Sequence, residues 1–322
     1  MRVLVTGASS LIGGVLVERL VDHAFDVIVL QRRTAGLEVE ERLGDVADRS
    51  AVEAAVQDVD AVVHLAARAS VAGGWESFER TNVDGTQNVI DAAHAAGVGR
   101  FVHVSSPSVA HTGRSLIGAA AGPANPGSVR GHYARSKAMA ELIALGANSP
   151  DMPVVAIRPH LIWGPGDTQL VGRIVERAKA GRLAVIGSGA ALIDSTYVDN
   201  AADSLVAALE RAPEIGGRAF VVSNGQPRPV GEMLNRIAMA AGAPVPRLKV
   251  PYGVARGGGR VVEEIWERRG NAGEPPLTQF LAEQLGTAHW FDQRETRAAL
   301  GWKPEVGIEE GFRRLQRWFE SA

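Results

Sequence analysis

The chain contains no cysteine, which excludes a disulfide framework, thiolate chemistry and any cysteine-based metal site. It has almost no excess charge. Lys and Arg number 34 against 36 Asp and Glu, a formal net charge of -2, so nothing in its electrostatics draws it to nucleic acid or an anionic membrane. No apolar run approaches the ~18 residues needed to span a bilayer, and there is no internal repeat or low-complexity tract. The amino end carries one Arg and then only three apolar residues before Thr6-Gly7, unlike a secretion signal, so a cytoplasmic protein is expected. Histidines and carboxylates lack ligand spacing such as two His four residues apart with Glu, so no metal is expected. What remains is a globular composition: 322 residues, 46% hydrophobic and 22% charged. That length makes one large domain or two ordinary ones.

Up to about Gly164, short apolar runs (3–5, 27–30, 61–65, 101–104, 154–157) alternate with helix-periodic stretches (13–24, 50–57, 82–96, 133–145). The fold class expected is α/β: a doubly wound, Rossmann-type parallel sheet, with helices on both faces and ligand at the strands' carboxyl ends. After the turn Gly164-Pro165-Gly166-Asp167, helices are expected over 170–180 and 195–210, a strand over 219–223, and a last helix over 309–319. Between Gly225 and that last helix the pattern is irregular, and Gly257–Gly259 reads as a mobile loop. The division expected is a dinucleotide domain, 1–164 plus 190–224, and a smaller interleaved substrate lobe, 165–189 plus 225–322.

The stretch RVLVTGASSLIGG is a strand, a glycine turn and a helix start. A helix's first amides are unpaired and its dipole is positive there, which makes an anion site. Gly7 permits the turn; Gly13 and Gly14 let the helix approach the strand. Glycines at three-residue intervals mark a dinucleotide fingerprint, and Ser10 occupies the middle position, where its hydroxyl could donate to a pyrophosphate. Gly7, Ser9, Ser10, Leu11, Ile12 and Gly13 are the residues expected there. Asp45 and Val46, then Leu65, Ala66 and Ala67, fall where adenine and ribose contacts belong. At the end of the second strand, Gln31-Arg32-Arg33 replaces the acidic residue that would hold a ribose 2'-hydroxyl. Two guanidinium groups suit a 2'-phosphate, so NADP is favoured over NAD.

Tyr133 and Lys137 lie four apart, on one helix face. A phenol has a pKa near 10; a neighbouring ammonium stabilises the phenolate and brings that value toward neutrality. Such a pair can move a proton to or from an alcohol oxygen. Ser105-Ser106 follows the strand 101–104, where a hydroxyl could polarise a carbonyl, and Asn82 opens a helix upstream. His64 and His103 read as packed core or site-wall residues rather than catalysts, and His160 as site lining. Trp266, Trp290 and Phe291 read as the small lobe's core rather than a pocket wall. Arg313, Arg314 and Arg317 read as a solvated helix face over buried Phe312, Leu315 and Phe319.

With TGASSLIG, HLAA, NVDGTQNVIDAA, FVHVSS, YARSK, IRPHLIWGPGD, TYVDNAADSLVAAL and ALGWKP in place, the chain resembles the extended short-chain dehydrogenase/reductase superfamily, of NAD-dependent epimerase/dehydratase type. Within it, the 3β-hydroxysteroid dehydrogenase-like branch is the most similar. The resemblance implies Tyr133 as general acid/base and Lys137 as the group that lowers its pKa and holds the nicotinamide ribose. It implies Ser106, in preference to Ser105, as hydrogen-bond donor to the reacting oxygen, and Asn82 as support. Pro159 and Leu161 would line the nicotinamide. It also implies a homodimer through the helices at 82–96 and 133–145. Two departures matter: Ser10 replaces a glycine, and Ile193 stands where sugar-nucleotide members carry an arginine that grips the nucleotide. An apolar residue there favours an apolar substrate. The function expected is NAD(P)-dependent interconversion of a secondary alcohol and a ketone on a largely apolar, sterol-like or β-hydroxy/keto substrate. The alternatives are a nucleotide-sugar epimerase or dehydratase with tightly held NAD, and a non-catalytic dinucleotide-binding regulator.

Overall fold

A computed structural model describes residues 1–70, 73–111, 113–269 and 278–321. Seven strands form one parallel sheet: β1 (Arg2–Thr6), β2 (Asp26–Gln31), β3 (Glu40–Leu43), β4 (Ala61–His64), β5 (Arg100–Val104), β6 (Val154–Pro159) and β7 (Ala219–Val222). Their spatial order is β7-β6-β5-β4-β1-β2-β3, every neighbouring pair parallel. Val3, Leu4 and Val5 on the interior strand β1 are fully buried, as strands covered on both faces must be. Order reverses beside β1, and at such a switch point a crevice opens beyond the strands' carboxyl ends.

Four helices, α1 (Leu11–Asp22), α2 (Arg49–Ala55), α3 (Gly85–Ala95) and α4 (His132–Gly146), follow the first strands. Leu16, Val17 and Leu20 of α1 pack on one sheet face with the helix Val198–Ile215. Val52, Val89 and Ile90 of α2 and α3 cover the other with Leu4 and Ile28. The expected doubly wound sheet is therefore present.

Four details differ from the sequence reading. Strand β3, Glu-Glu-Arg-Leu, was not anticipated: it is an edge strand whose charged residues need no apolar alternation. The helix containing Asn82 begins earlier, as a short turn at Trp75–Phe78 and a wider π-type turn at Glu79–Asp84. Gly257–Gly259 is not a loop but lies inside the helix Tyr252–Arg269. The reason is close packing: a Cβ on Gly259 would sit 2.6 Å from the Thr278 backbone, where the helix Gln279–Gly286 begins. The irregular region is likewise helical over Val230–Ala240 and Arg294–Leu300.

Segments from both sides of the expected domain division meet in a small sheet ordered Arg228–Pro229, Leu192–Ile193, His289–Phe291, Leu116–Ala119. It stands beside the carboxyl end of the large sheet and walls the crevice. Among the described residues no helix is long and apolar enough to cross a membrane, and no group of three potential ligands could hold a metal ion.

Candidate active site

The turn between β1 and α1 is shaped by contacts that exclude a side chain. Gly7 has φ +76°, and a Cβ there would lie 2.8 Å from the Ala66 backbone. One on Gly13 would lie 2.6 Å from the Gly7 carbonyl oxygen. At Gly14 the nearest atom is 3.9 Å away, so that glycine is not demanded by packing. Ser10 caps α1: its Oγ accepts from Gly13 N at 3.1 Å and donates to Gly7 O at 2.9 Å. The hydroxyl expected to reach a pyrophosphate is thus turned into its own helix end. Leu11 and Ile12 occupy the first-turn positions whose amides have no intrahelical acceptor, and Ser9 is exposed beside them.

The loop after β4 is held against this turn by one chain of hydrogen bonds. Ala66 N donates to Thr6 Oγ1 at 3.1 Å, and Thr6 Oγ1 lies 2.7 Å from His64 Nδ1. His64 Nε2 lies 3.0 Å from Thr86 Oγ1, which donates to the Asn82 carbonyl at 2.7 Å. Fully buried, His64 is pulled down to about 3, neutral in a structural role. His103 is equally enclosed and also pushed down by burial. Both are core residues, as expected. Leu65, Ala66 and Ala67 therefore border the glycine turn.

At the end of β2, Gln31 is buried and its Nε2 donates to Glu41 Oε1 at 3.0 Å. A carboxylate only accepts, which fixes the amide's orientation and leaves Oε1 buried without a partner among the described residues. Arg32 and Arg33 are exposed, and neither guanidinium is held by another described residue. Asp45 and Val46 follow β3, the Val46 carbonyl being taken by Asn88 Nδ2 at 3.0 Å. The unfilled acceptor of Gln31, the side-chain-free cradle at Gly7 and the open amides of α1 together fit a dinucleotide.

Tyr133 and Lys137 project from α4 into the same crevice as Ser105 and Ser106 at the end of β5. Ser106 Oγ accepts from Ser108 Oγ at 2.9 Å and from Ser108 N at 3.3 Å, which leaves its own proton to be donated outward. Ser105 Oγ is buried without a partner among the described residues. Lys137 Nζ donates to the Val104 carbonyl at 2.6 Å, and burial draws its pKa down to about 8. Burial pushes the Tyr133 phenol above its usual value while the Ser106 hydroxyl pulls the other way. The lowering expected from Lys137 is not what this geometry shows: the ammonium is committed to the strand end. Asn82 Nδ2 donates to Ser136 Oγ at 2.8 Å and its Oδ1 accepts from Arg68 N at 2.7 Å, bracing α4 against the β4 loop.

Pro159 ends β6 and Leu161 follows with φ +44°, a left-handed conformation that a leucine adopts only under constraint. The constraint comes from Thr196, whose Oγ1 donates to the His160 carbonyl at 2.7 Å and whose N donates to the Leu161 carbonyl at 3.2 Å. From here a cavity of about 530 Å³ runs into the lobe, past Leu170, Ile174, Ile193, Met233, Leu234 and Leu285. It is continuous with Ser10 and Ile12 at the glycine turn. Ile193 forms the apolar wall expected of it, and Asp194 beside it is a staple. Its carboxylate accepts from Ser223 Oγ at 2.6 Å, Gly225 N at 3.1 Å and Gln226 N at 3.2 Å. Phe291 lines this cavity, contrary to its expected core role, while Trp290 packs over Gly118. Reading the sequence missed His111, His289, Glu141 and Arg158. The first two meet the site only through tertiary pairing, and the last two form an ion pair between α4 and β6 that no local pattern announces.

The family model for the NAD dependent epimerase/dehydratase family matches residues 3–223. A 2-alkyl-3-oxoalkanoate reductase of Stenotrophomonas maltophilia is 42% identical over 325 residues, covering 98% of this chain and 98% of its own. A sterol-4-alpha-carboxylate 3-dehydrogenase, decarboxylating, of Homo sapiens is 30% identical over 333 residues, covering 99% of this chain and 88% of its own. A solved dTDP-glucose 4,6-dehydratase from Streptomyces venezuelae, with NAD bound, superposes with a TM-score of 0.76 at 25% identity, over 99% of this chain and 97% of the other. The strand order, the glycine turn and these similarities together mean that the chain belongs to the NAD dependent epimerase/dehydratase family, within the extended short-chain dehydrogenase/reductases and beside their 3β-hydroxysteroid dehydrogenase-like members.

Proposed function

We propose that the chain is an NAD(P)-dependent oxidoreductase interconverting a ketone and a secondary alcohol on an alkyl-chain 3-oxo or 3-hydroxy acid. The observation that carries this reading is the apolar cavity that begins at Tyr133, Ser106 and Lys137 and ends among Met233, Leu234 and Leu285. Its wall suits hydrocarbon chains, each buried methylene contributing roughly 0.8 kcal/mol. Two relatives named for carboxylate-bearing substrates, an alkanoate and a sterol carboxylate, support an acid over a simple ketone. A sugar nucleotide would face Ile193 without a cation at that position.

The nicotinamide, when bound, supplies or takes the hydride. Tyr133 then gives its phenolic proton to the carbonyl oxygen in reduction and takes it back in oxidation. Ser106 donates a hydrogen bond to that oxygen as charge develops on it. In this reading Lys137 holds the ribose and, released from the Val104 carbonyl, stabilises the phenolate. Asn82 keeps α4 in register with the β4 loop. Pro159 and Leu161 present a rigid backbone edge to the nicotinamide.

NADP(H) is the preferred cofactor in this reading, because Arg32 and Arg33 are exposed, with no ion pair among the described residues, where a 2'-phosphate would lie. Dimerisation through α3 and α4 belongs to the same proposal. The test is Tyr133→Phe, assayed for turnover of 3-hydroxy acids and titrated with NADPH and NADH by fluorescence. Turnover should fall by at least ~10²-fold with cofactor affinity unchanged and NADPH bound more tightly. A fully active variant would refute the assignment.

A further inference from the structure

The cavity is apolar along most of its length, but one corner is not. His111, His160 and His289 line it together. His289 Nε2 lies 2.6 Å from the Gln284 carbonyl, and His160 Nε2 lies 3.1 Å from His289 Nδ1, with the rings edge-on at 4.9 Å. His111 packs edge-on against His289 at 6.4 Å.

These contacts fix where the protons are. A carbonyl only accepts, so His289 carries its proton on Nε2. Neutral His289 then takes a hydrogen bond at Nδ1 from His160 Nε2–H, which leaves His160 Nδ1 as a bare lone pair. His111 Nδ1 accepts from Gly113 N at 3.4 Å, so His111 Nε2 carries a proton to donate. His160 Nδ1 and His111 Nε2 are both buried without a partner among the described residues, in side chains each 6% exposed. Unpartnered buried groups of this kind are rare in folded proteins and need a ligand, an ion or a water to satisfy them. Both belong to residues that line the cavity, and although neither nitrogen is open to water as the rings stand, a small turn of either ring toward the cavity would present it to an occupant.

Burial holds all three rings neutral, His289 down to about 4 and the others also downward. The charged groups around them are few. Glu283 raises and Arg130 lowers His111, and Glu283 is itself held by Arg130 and by Arg256 at 3.0 Å. Asp194 meets His160 through its backbone, and Lys137 lies across the crevice.

We propose that this corner binds the carboxyl group of the substrate, one oxygen accepting from His111 Nε2–H and the other sharing a proton with His160 Nδ1. The proton is taken up from solvent with an ionised acid, so no net charge is added to the apolar cavity. His289 and the Gln284 carbonyl act as positioning groups that set the tautomers. This rests on the reading of the site as an oxidoreductase of 3-oxo and 3-hydroxy acids, and adds the residues that select the acid. Arg173 and Arg177, which also line the cavity, are the competing anchor, although Arg173 already donates to Gln169 Oε1 at 2.9 Å.

The test compares three stable substrates in the oxidation direction with NADP⁺: a 2-alkyl-3-hydroxy acid, its methyl ester and the matching secondary alcohol. Wild type should favour the acid over the ester at least tenfold in kcat/KM. His111→Phe should erase that preference by lowering kcat/KM for the acid at least tenfold more than for the ester or the alcohol, and His111→Gln, which keeps an N–H donor, should restore part of it. Equal use of acid and ester by wild type overturns the proposal. So does an equal loss on all three substrates in His111→Phe, or loss of the acid preference in Arg173→Met instead. Oxidation of none of the three by wild type would instead refute the underlying reading of the site.

Discussion

Arg158 grips Glu141 through two parallel hydrogen bonds, Nε to Oε2 at 2.8 Å and Nη2 to Oε1 at 2.5 Å, with both side chains 1% exposed. Nη1 donates to the carbonyls of Ala121 and Gly122. The pair ties β6 to α4 one helical turn from Lys137. Breaking a buried pair strands a charge, whereas replacing both partners by apolar groups does not. Glu141→Gln should therefore lose about 3–5 kcal/mol of stability, and the double variant Glu141→Leu with Arg158→Met should lose less. Urea melts of the three proteins check this.

Lys137 has a second, pH-dependent consequence. Burial lowers its pKa to about 8 while Glu141 raises it, and the ordinary lysine value is 10.5. Between those values the unfolded chain binds more protons than the folded one, so stability rises with pH from about 8 toward 10.5. Below that window both states are protonated and the cost of enclosing the ammonium is fully present. Lys137→Met should flatten this rise, on the order of 1–3 kcal/mol, in urea midpoints taken at low and high ends of the window. A slope that survives the substitution would assign it to other groups.

The glycines of the first turn are not equivalent. Gly7→Ala places a Cβ 2.8 Å from the Ala66 backbone at φ +76°, and should abolish cofactor binding in a fluorescence titration and lower the melting temperature. Gly14→Ala meets nothing closer than 3.9 Å within a helix and should be neutral or stabilising by up to ~1 kcal/mol.

Ser10 separates the cap from the ligand. Loss of the Gly13 N bond in Ser10→Ala should cost about 0.5–2 kcal/mol of stability. Cofactor affinity should stay within threefold of wild type, because the hydroxyl is turned away into its own turn. A large loss of affinity with unchanged melting would reverse that reading.

What the sequence made legible was whatever is encoded over a few adjacent residues. Val3–Val5 and Val27–Leu30 announce buried parallel strands, and Gly7 to Gly13 announces the turn. Tyr133 and Lys137 are visible because four residues make a helical turn. What it hid depends on distant pairing. Ser10's hydroxyl direction follows from the cap, and the left-handed Leu161 is imposed by Thr196. His289 reaches the cavity only because its strand lies beside Leu192–Ile193. Gly257–Gly259 misled because glycine signals freedom locally, while a neighbouring backbone explains Gly259 only in three dimensions.

The pairing of Leu116–Ala119 with His289–Phe291 also bears on how the protein is made. During synthesis the large parallel sheet is complete once Val222 has emerged, yet the strand that starts at Leu116 still waits for its neighbour His289–Phe291. A nascent chain would therefore carry that wall of the cavity unpaired until Phe291 has emerged. Ribosome-stalled intermediates ending before residue 289 should bind a hydrophobic dye that the released protein does not.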